Sequence, residues 1–375
     1  MAPSMVAAAA DGKGFNGVEH NFAHLLKGVK YLSGSGISKV PEKYILPAQE
    51  RPMRREAEPD PLKLIALPLL DFSELQGPNN DAALKSLSDA CQDYGFFQLV
   101  NHGIPEEVTK GIVEVSKEFF EMPFEERSKY MSSDMYSPVR YGTSFNQSKD
   151  KVFCWRDFLK LTCQPMEEVL PHWPSSPPHM RRELAASYAK AAKNLSIALT
   201  GAIFRGLEID QVEEHGAMIE EFKAGSQLMV MNCYPQCPQP DLTLGMPPHS
   251  DYGFLTLLLQ DQVEGLQIQH RDEWVMVQPV PNALVINVGD HLEIFSNGRY
   301  KSVLHRVLAN STQHRVSVAS IHTLSSNRTI RPSPSLVDDA NPPRYKDTDF
   351  ASFLDYVSSR EPKNKDFLES RKVTR

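Results

Sequence analysis

The second half of the chain carries short strand-like segments separated by turns, and this pattern constrains the fold more than any other feature. From Leu228 onward, seven such segments follow one another in the chain: LMVMNCY, FLTLLLQ, LQIQ, EWVMV, ALVINV, SVLHRVL and RVSVASIH. Short strands at near-regular spacing predict a β-sandwich or jelly roll. The first half is helical in pattern, most clearly over Arg182–Arg205, where apolar side chains recur on one face. We therefore predict a mainly β protein with flanking helices.

Composition and pattern divide the chain into four parts. Residues 1–60 mix Gly, Pro and charge and are predicted to be a partly disordered extension, with a short helix that stops at Gly34. We predict an N-terminal helical region over 61–225, a jelly-roll core over 226–335, and a C-terminal helix or lid over 336–375 that includes Phe350, Phe353 and Tyr356. The helical and β parts are expected to share one core.

Charge and cysteine content exclude several classes of protein. The 40 Lys and Arg residues are outnumbered by 47 Asp and Glu residues, for a net charge of −7, which argues against nucleic acid or an anionic membrane as the main partner. No apolar run reaches the length of a membrane span, and the Ala-rich start lacks the basic region of a secretory signal. The five cysteines are too few and scattered for a disulfide framework. We expect a cytoplasmic protein.

Three His-x-acid pairs are candidate metal ligands. A His and an acid two residues apart on a strand point to the same side, as one metal site requires, but such pairs also arise by chance. Context favours the pair that stands beside Gly253 and directly before an apolar strand. The three pairs are His249/Asp251, His270/Asp272 and His291/Glu293.

His305 offers a third ligand to the favoured pair. It lies inside the predicted strand SVLHRVL, downstream of His249 and Asp251. A strand histidine alone is usually structural. Two imidazoles and one carboxylate together, however, form the facial triad of non-haem iron(II) enzymes, which leaves coordination positions open for substrate and dioxygen.

Arg315 and Ser317 alternate on the last predicted strand and therefore face the same way. An inward arginine on an apolar strand is costly unless it meets an anion. A guanidinium beside a hydroxyl suits a carboxylate ligand, to which the Tyr234 phenol could add a hydrogen bond. An internal Arg–Glu ion pair is an equally good explanation of Arg315 taken alone.

These residues stand in phrases that identify a family. Asn232-x-Tyr234, His249-x-Asp251, His305 and Arg315-x-Ser317, with YGFFQLVNHGI, YPQCPQP, VEGLQI and EIFSNGRYKSVLHRV, resemble the plant 2-oxoglutarate- and iron(II)-dependent dioxygenases over roughly residues 60–350. The resemblance implies a double-stranded β-helix (a cupin-like jelly roll) with N-terminal helices. It implies iron(II) held by His249, Asp251 and His305, and 2-oxoglutarate held by Arg315, Ser317 and Tyr234 with Asn232 nearby.

The reaction that the resemblance implies consumes dioxygen and decarboxylates 2-oxoglutarate to succinate and CO2, with ascorbate as the reductant. The organic substrate is then oxidised, usually by hydroxylation. The expected partner is a small aromatic or hormone-like molecule, such as a flavonoid or another phenolic of plant specialised metabolism. A monomer is the default for such a family. The expected compartment is the cytoplasm, with the nucleus as a second one.

The substrate pocket is less constrained by the sequence. Tyr141 and Phe145 match a pocket-lining stretch of flavonoid-processing relatives, although core packing explains them equally well. Many relatives have an aromatic residue and then a proline after the Arg315 strand, where this chain has Ile321 and His322. That departure weakens the transfer of flavonoid specificity and makes these two residues candidate substrate contacts.

Three other functions remain open at this point. A hormone-modifying dioxygenase would carry the same motifs. An oxidase of the same fold that does not use 2-oxoglutarate could use the Arg–Ser pair for another carboxylate. A noncatalytic binding protein could keep the barrel, but the intact ligand set argues against it.

Overall fold

The large β-sheet and the small β-sheet of this protein face each other, and helices cover the outer side of the large one. The computed structural model describes residues 27–52, 64–78, 80–145, 150–209, 212–349, 352–353, 356 and 364–373. The predictions for residues 1–26, for most of the charged linker before Leu64 and for Phe350 lie outside these ranges.

The described strands form two main sheets and one short pair. The large sheet has the order β2-β3-β11-β8-β13-β6-β5-β4, the small sheet the order β1-β10-β9-β12-β7, and β14 pairs with β15. The strands are β1 Leu64–Ile65, β2 Leu69–Asp71, β3 Phe96–Val100, β4 Val139–Thr143, β5 Asp157–Thr162, β6 Gln227–Tyr234, β7 Leu244–His249, β8 Leu255–Gln260, β9 Leu266–His270, β10 Glu273–Val277, β11 Leu284–Val288, β12 His305–Leu308, β13 Arg315–His322, β14 Thr329–Ile330 and β15 Thr348–Asp349.

Helices come mostly from the N-terminal half. The helices are α1 Val29–Gly34, α2 Phe72–Gln76, α3 Asp81–Asp93, α4 Glu106–Glu121, α5 Phe124–Arg127, α6 Met166–Val169, α7 Ala186–Gly206, α8 Val212–Lys223, α9 Asp290–Phe295 and α10 Asp366–Arg371. A π-helical turn over Met180–Ala185 leads into α7. Single 3₁₀ turns occupy Glu42–Tyr44, Ala48–Glu50, Ser128–Tyr130, Leu170–His172, Pro240–Leu242 and Pro334–Leu336.

The predicted jelly-roll architecture is confirmed, and each of the seven predicted strand segments contains a strand. The strands that were not predicted include β4, β5 and β7, as well as the short pair β14 and β15. β7 reads Leu-Gly-Met-Pro-Pro-His, and its two prolines are tolerated because it is the last strand of the small sheet. β2 to β5 lie in the large sheet beside strands of the second half, so both halves of the chain build one sheet.

Helix α7 buries its apolar face against the outer side of the large sheet. Tyr188, Leu199 and Ile203 are buried on this helix, as its periodicity predicted. At its end the Phe204 ring lies 5.1 Å from Phe295 and 6.0 Å from Phe254, measured between centroids. This aromatic contact fixes the helix over the sheet, and the inner face of the sheet is left for polar side chains.

The described part of the N-terminal extension packs against the same body. The Asp157 carboxylate, at the start of β5, accepts hydrogen bonds from the backbone amides of Val29 (2.9 Å) and Lys30 (3.1 Å) at the start of α1. Gly28 has a φ of 89°, and a Cβ there would lie 2.5 Å from Asp157 Oδ1. Only glycine therefore allows the chain to approach this carboxylate so closely.

Candidate metal centre

His249 and His305 face each other across two strands of the small sheet. His249 ends β7, His305 begins β12, and the two residues are paired in register with ring centroids 4.1 Å apart. The Nδ1 of His249 lies 2.9 Å from the Pro247 carbonyl, and the Nδ1 of His305 lies 3.2 Å from the Val303 carbonyl. Because a carbonyl can only accept, each Nδ1 carries the proton and each Nε2 keeps a free lone pair.

Asp251 completes the group. Its Oδ1 lies 3.7 Å from His249 Nε2 and 3.6 Å from His305 Nε2, and ligand atoms of all three residues lie within 4.8 Å of one another. Its other oxygen, Oδ2, accepts hydrogen bonds from Thr256 Oγ1 (2.6 Å) and Asn287 Nδ2 (2.9 Å). These two donors orient the carboxylate so that Oδ1 is directed at the imidazoles, as is typical of metal ligands.

The electrostatics of the group favour the protonation states that bind a metal. Burial, followed by the neighbouring His305, lowers the pKa of His249. Burial would raise the pKa of Asp251, but the two imidazoles and the hydrogen bonds from Thr256 and Asn287 outweigh it, so this pKa lies below its usual value. A neutral imidazole and an ionised carboxylate are the forms that coordinate metal ions.

A tight crossing of two loops holds the ligand segment in place. A Cβ on Gly289 would lie 2.1 Å from the Gly253 carbonyl oxygen, so the two backbones meet where only glycine fits. The Asp290 amide then donates to the Asp251 carbonyl (2.8 Å), and the Ser250 hydroxyl donates to the Asp290 carboxylate (3.2 Å). The backbone of Asp251 is thus fixed independently of any metal.

Arg315 lies on the inner face of the large sheet and is buried. Its Nε donates to the Val263 carbonyl (3.2 Å) and its Nη2 to Gln260 Oε1 (2.8 Å), and the guanidinium lies 5.2 Å from the centre of the Tyr234 ring. Within the described residues its Nη1 has no hydrogen-bond partner and no carboxylate forms an ion pair with it. Among the described residues, an internal Arg–Glu pair therefore does not account for the burial of Arg315.

The other predicted cosubstrate residues lie beside Arg315. In the pairing of β13 with β6, Arg315 is opposite Tyr234 and Ser317 is opposite Asn232. Residues opposite each other on neighbouring strands share a face. The structure therefore brings these four predicted residues together on the inner surface, and all four are buried.

The four candidate substrate contacts separate into two groups. Phe145 is half-buried with its ring 6.1 Å from that of His249, and Ile321 faces the same way as Arg315 by the alternation of β13. Tyr141 instead packs its ring 6.0 Å from Phe119, and its hydroxyl donates to Asp157 on the helical side. The structure does not support a substrate contact for Tyr141.

His322 is also on the helical side. It lies between β13 and α7, with Nδ1 3.1 Å from Ser196 Oγ and Nε2 2.9 Å from Ser320 Oγ. Both nitrogens are engaged and the side chain is buried, because alternation along β13 turns it away from the face of Arg315. The expectation that His322 contacts substrate or closes the pocket mouth does not agree with this position.

The other two His-x-acid pairs lie away from the metal group. His270 ends β9 and stacks on Tyr94 at 4.9 Å, next to the hairpin tip formed by Arg271 and Asp272. His291 and Glu293 lie in α9, where His291 Nδ1 is 2.6 Å from Thr323 Oγ1. Among the described residues, neither pair has a third ligand-type side chain close enough to form a metal site.

Several residues of the site were missed by the sequence analysis. Thr256, Asn287 and Gln260 are polar residues inside otherwise apolar strands, and this was the available signal. Arg156, just before β5, donates to Asn232 Oδ1 (3.2 Å) and to the Ser144 carbonyl (2.8 Å). It follows Trp155 and precedes Asp157, and nothing in that local sequence indicated which face it would take.

Two family models match this chain. Residues 225–323 match the 2OG-Fe(II) oxygenase superfamily, and residues 67–180 match the model described as "non-haem dioxygenase in morphine synthesis N-terminal". The chain belongs to the 2-oxoglutarate- and iron(II)-dependent oxygenases. It is an oxidoreductase of the dioxygenase class, with iron(II) as its metal and 2-oxoglutarate as its cosubstrate, as the sequence motifs implied.

Individual relatives of this oxygenase act in plants. It is 38% identical to Protein DMR6-LIKE OXYGENASE 2 of Arabidopsis thaliana over 329 residues, covering 86% of this chain and 90% of the relative. It is also 38% identical to Flavanone 3-dioxygenase 2 of Oryza sativa subsp. japonica over 339 residues, covering 90% and 96%.

A solved structure supports the same fold. The crystal structure of JOX2 in complex with 2OG, Fe and JA superposes on this oxygenase with a TM-score of 0.82 at 33% identity, covering 92% of this chain and 98% of the other. In the part of the chain that the structure describes, every helix is too short or too polar to cross a membrane.

Proposed function

We propose that this oxygenase hydroxylates a small phenolic or hormone-like plant metabolite while it decarboxylates 2-oxoglutarate to succinate and CO2. The observation that carries the proposal is the group of His249, Asp251 and His305, whose free ligand atoms converge beside a buried arginine that no described carboxylate pairs with. That combination provides one site for a metal and one for an acidic cosubstrate.

We assign the iron to the three convergent atoms, His249 Nε2, His305 Nε2 and one oxygen of Asp251. Two imidazoles and one carboxylate suit iron(II) and leave further positions for other ligands. When bound, iron and 2-oxoglutarate supply the oxidising power by which dioxygen gives one atom to the substrate and one to succinate. The hydrogen bonds from Thr256 and Asn287 keep Asp251 turned toward the metal position.

We assign the distal carboxylate of 2-oxoglutarate to Arg315 with Ser317 and Tyr234. The Nη1 of Arg315 is buried without a described partner, so a carboxylate oxygen would satisfy it. Gln260 and the Val263 carbonyl hold the other guanidinium nitrogens and fix its plane. We assign Asn232 to the cosubstrate as well, because it lies opposite Ser317 on the neighbouring strand.

The substrate assignment rests on two supports. The relatives named above include a flavanone dioxygenase, and the solved structure contains JA together with 2OG and Fe. In this chain the half-buried Phe145 ring lies next to His249, where it could stack on a planar or alicyclic molecule. We propose that Phe145 and Ile321 line the substrate pocket.

The remaining proposals concern how and where the enzyme works. We propose a monomer that uses ascorbate as its reductant and acts in the cytoplasm, with the nucleus as a second compartment. All five cysteines are described, buried and outside any disulfide, which suits a reducing compartment.

The test is succinate release from 2-oxoglutarate by the purified protein with iron(II), ascorbate and oxygen. We expect a slow release without substrate and a faster release with one member of a panel of flavonoids, hydroxycinnamates and plant hormones. The matched control is Asp251→Asn, which keeps the shape of the site and removes the charge. Substrate consumption without succinate would instead support an oxidase that does not use 2-oxoglutarate.

A further inference from the structure

Two buried arginines lie together on the inner face of the large sheet, outside the metal and cosubstrate groups. Arg140 and Arg156 are 8% and 4% exposed. Their guanidinium carbons lie 5.3 Å and 5.0 Å from the centre of the same Phe158 ring. We call these two residues the arginine pair.

The hydrogen-bonding capacity of the arginine pair is only partly used. Arg156 donates to the Ser144 carbonyl and to Asn232, and its Nε is buried without a partner among the described residues. Arg140 donates to the carbonyls of Ser132 (3.0 Å) and Phe145 (3.1 Å). Each guanidinium has five N–H donors, and among the described residues the Nε of Arg156 is the buried one left without a partner.

No ion pair in the described part of the chain neutralises the arginine pair. Every acceptor named for it is a carbonyl or an amide oxygen, which carries no formal charge. Burial, and next the charge of Arg156, lower the pKa of Arg140. The buried carboxylate of Asp150, which accepts from Ser144 and Phe145, offsets part of the charge on Arg140. One anion beside two buried cations still leaves an excess positive charge, and an acidic ligand would relieve that cost.

The arginine pair is adjacent to the metal centre. The Phe145 ring contacts both, with its centre 5.0 Å from the Arg156 guanidinium and 6.1 Å from the His249 ring. Asn232 provides a second connection, since it accepts from Arg156 and lies opposite Ser317. A small molecule whose apolar part packs on Phe145 can therefore reach the metal position at one end and Arg156 at the other.

We propose that the arginine pair binds the carboxylate of an acidic substrate and so selects acids over their neutral esters. This inference rests on the proposed function, because it names the substrate class of the same site. The arginine pair has the donors for a carboxylate that bridges two guanidinium groups. The bound acid would then present its apolar portion to Phe145 and to the metal position.

Equilibrium binding tests the proposal without turnover. Anaerobic protein loaded with iron(II) and 2-oxoglutarate is titrated calorimetrically with cinnamate, 4-hydroxycinnamate and indole-3-acetate, each compared with its methyl ester. We expect at least one acid to bind about 10- to 100-fold more tightly than its ester, as is typical of a charged hydrogen bond. We expect Arg156→Gln to lower the affinity for the acid to that of its ester.

Two variants separate recognition from a merely structural role. Arg156→Lys keeps the charge and should retain part of the preference. Arg306→Gln is the matched control, since Arg306 is also a partly buried arginine that bonds to a glutamine and stacks on Trp274, but it lies on the small sheet. Its acid-to-ester ratio should equal that of the wild type.

The proposal is overturned if no acid in the panel binds more tightly than its ester, or if Arg156→Gln weakens acid and ester equally. Failure of the proposed function is a different result. In that case acid preference would persist and depend on Arg156, but no probe would increase succinate release in the presence of oxygen.

Discussion

The two faces of the large sheet carry two different groups of buried charges. On the helical side, Arg127 Nη1 lies 2.6 Å from the Tyr141 hydroxyl and 3.7 Å from Asp157, whose carboxylate also accepts the amides of α1. On the inner side, hydrogen-bonding or ligand capacity is left unused. Ligand atoms of His249, Asp251 and His305 converge, and the Nη1 of Arg315 has no described hydrogen-bond partner. Both groups are largely buried, the inner one somewhat less completely, and they differ in how much of their hydrogen-bonding capacity is used.

The difference separates structural from functional charges in this molecule. Burial raises the pKa of Asp157 despite Arg127, whereas the imidazoles hold the pKa of Asp251 below its usual value. A satisfied group stabilises the fold, and a group with unused capacity is ready for a ligand. The predictions below follow this contrast from its largest effect to its smallest.

The largest effect is expected from exchanging one buried carboxylate on each face. Asp251→Asn should lower succinate release at least 100-fold and abolish tight iron binding, with little loss of stability, because a metal ligand is replaced by a weaker one. Asp157→Asn should lower the free energy of unfolding by about 3 kcal/mol, since it leaves Arg127 buried without its partner. Turnover assays and urea denaturation of both variants check this, and loss of activity by Asp157→Asn under conditions where it stays folded would contradict the contrast.

The two buried arginines should differ in the same way. Arg315→Leu should raise the KM for 2-oxoglutarate by about 10- to 100-fold, because a charged hydrogen bond to the cosubstrate is removed. Its loss of stability should be smaller than that of Arg127→Leu, since no described carboxylate forms an ion pair with Arg315, although its charge offsets part of the rise that burial causes in the pKa of Asp261. Arg127→Leu should instead destabilise the protein, because it removes the counter-charge of Asp157. An unaltered KM in Arg315→Leu would refute the cosubstrate assignment.

The pH dependence of stability tests the structural side. Burial lowers the pKa of His322 to about 3, below its ordinary value of 6.5, so this histidine stabilises the fold fully above pH 6.5 and progressively less as the pH falls toward 3. Between pH 7.5 and 5.5 the loss for one such histidine is about 1 kcal/mol. In urea denaturation, the free energy of unfolding of His322→Gln should therefore fall less between pH 7.5 and 5.5 than that of the wild type. The expected difference is the loss given above.

Buried Asp290 acts with the opposite sign over the same range. Burial raises its pKa to about 7, so its contribution is fully present below its ordinary value of 3.8 and is lost as the pH rises toward 7. The wild-type curve contains both contributions. For this reason the difference between wild type and His322→Gln, rather than the wild-type slope alone, is the quantity to measure.

The smallest effect concerns two neighbouring aromatic residues. Tyr141→Phe should lower the free energy of unfolding by about 1 kcal/mol, because it removes the hydroxyl between Arg127 and Asp157, and should leave substrate choice unchanged. Phe145→Ala should raise the KM of the substrate with little effect on uncoupled succinate release. A change of substrate choice in Tyr141→Phe would show that the helical face contributes to the pocket.

Sequence reasoning worked where residue type and alternation were sufficient. His249 with Asp251 and Arg315 with Ser317 could be singled out because each pair has a strand spacing of two, and the family resemblance added His305. β7 was missed because Pro247 and Pro248 argue against a strand unless its edge position is known. Thr256 and Asn287 were missed because their roles depend on which strands become neighbours.

The substrate side was predicted only in part for a related reason. Tyr141 and Phe145 stand four residues apart in one segment, yet they lie on opposite faces of the sheet. The sequence does not show where β4 ends, so it could not assign the faces. His322 was expected near the pocket because it follows the Arg315 strand, but alternation along β13 turns it to the helices.

The attachment of α1 to Asp157 has a consequence for synthesis of the chain. The Val29 amide and the Asp157 carboxylate are 128 residues apart in sequence, and Val29 precedes the first residue matched by either family model. On the ribosome, α1 must wait until β5 has emerged before it finds its partner. A contact of such sequence separation closes late in folding, so the cooperative unit of this oxygenase begins well before the segment by which its family is identified.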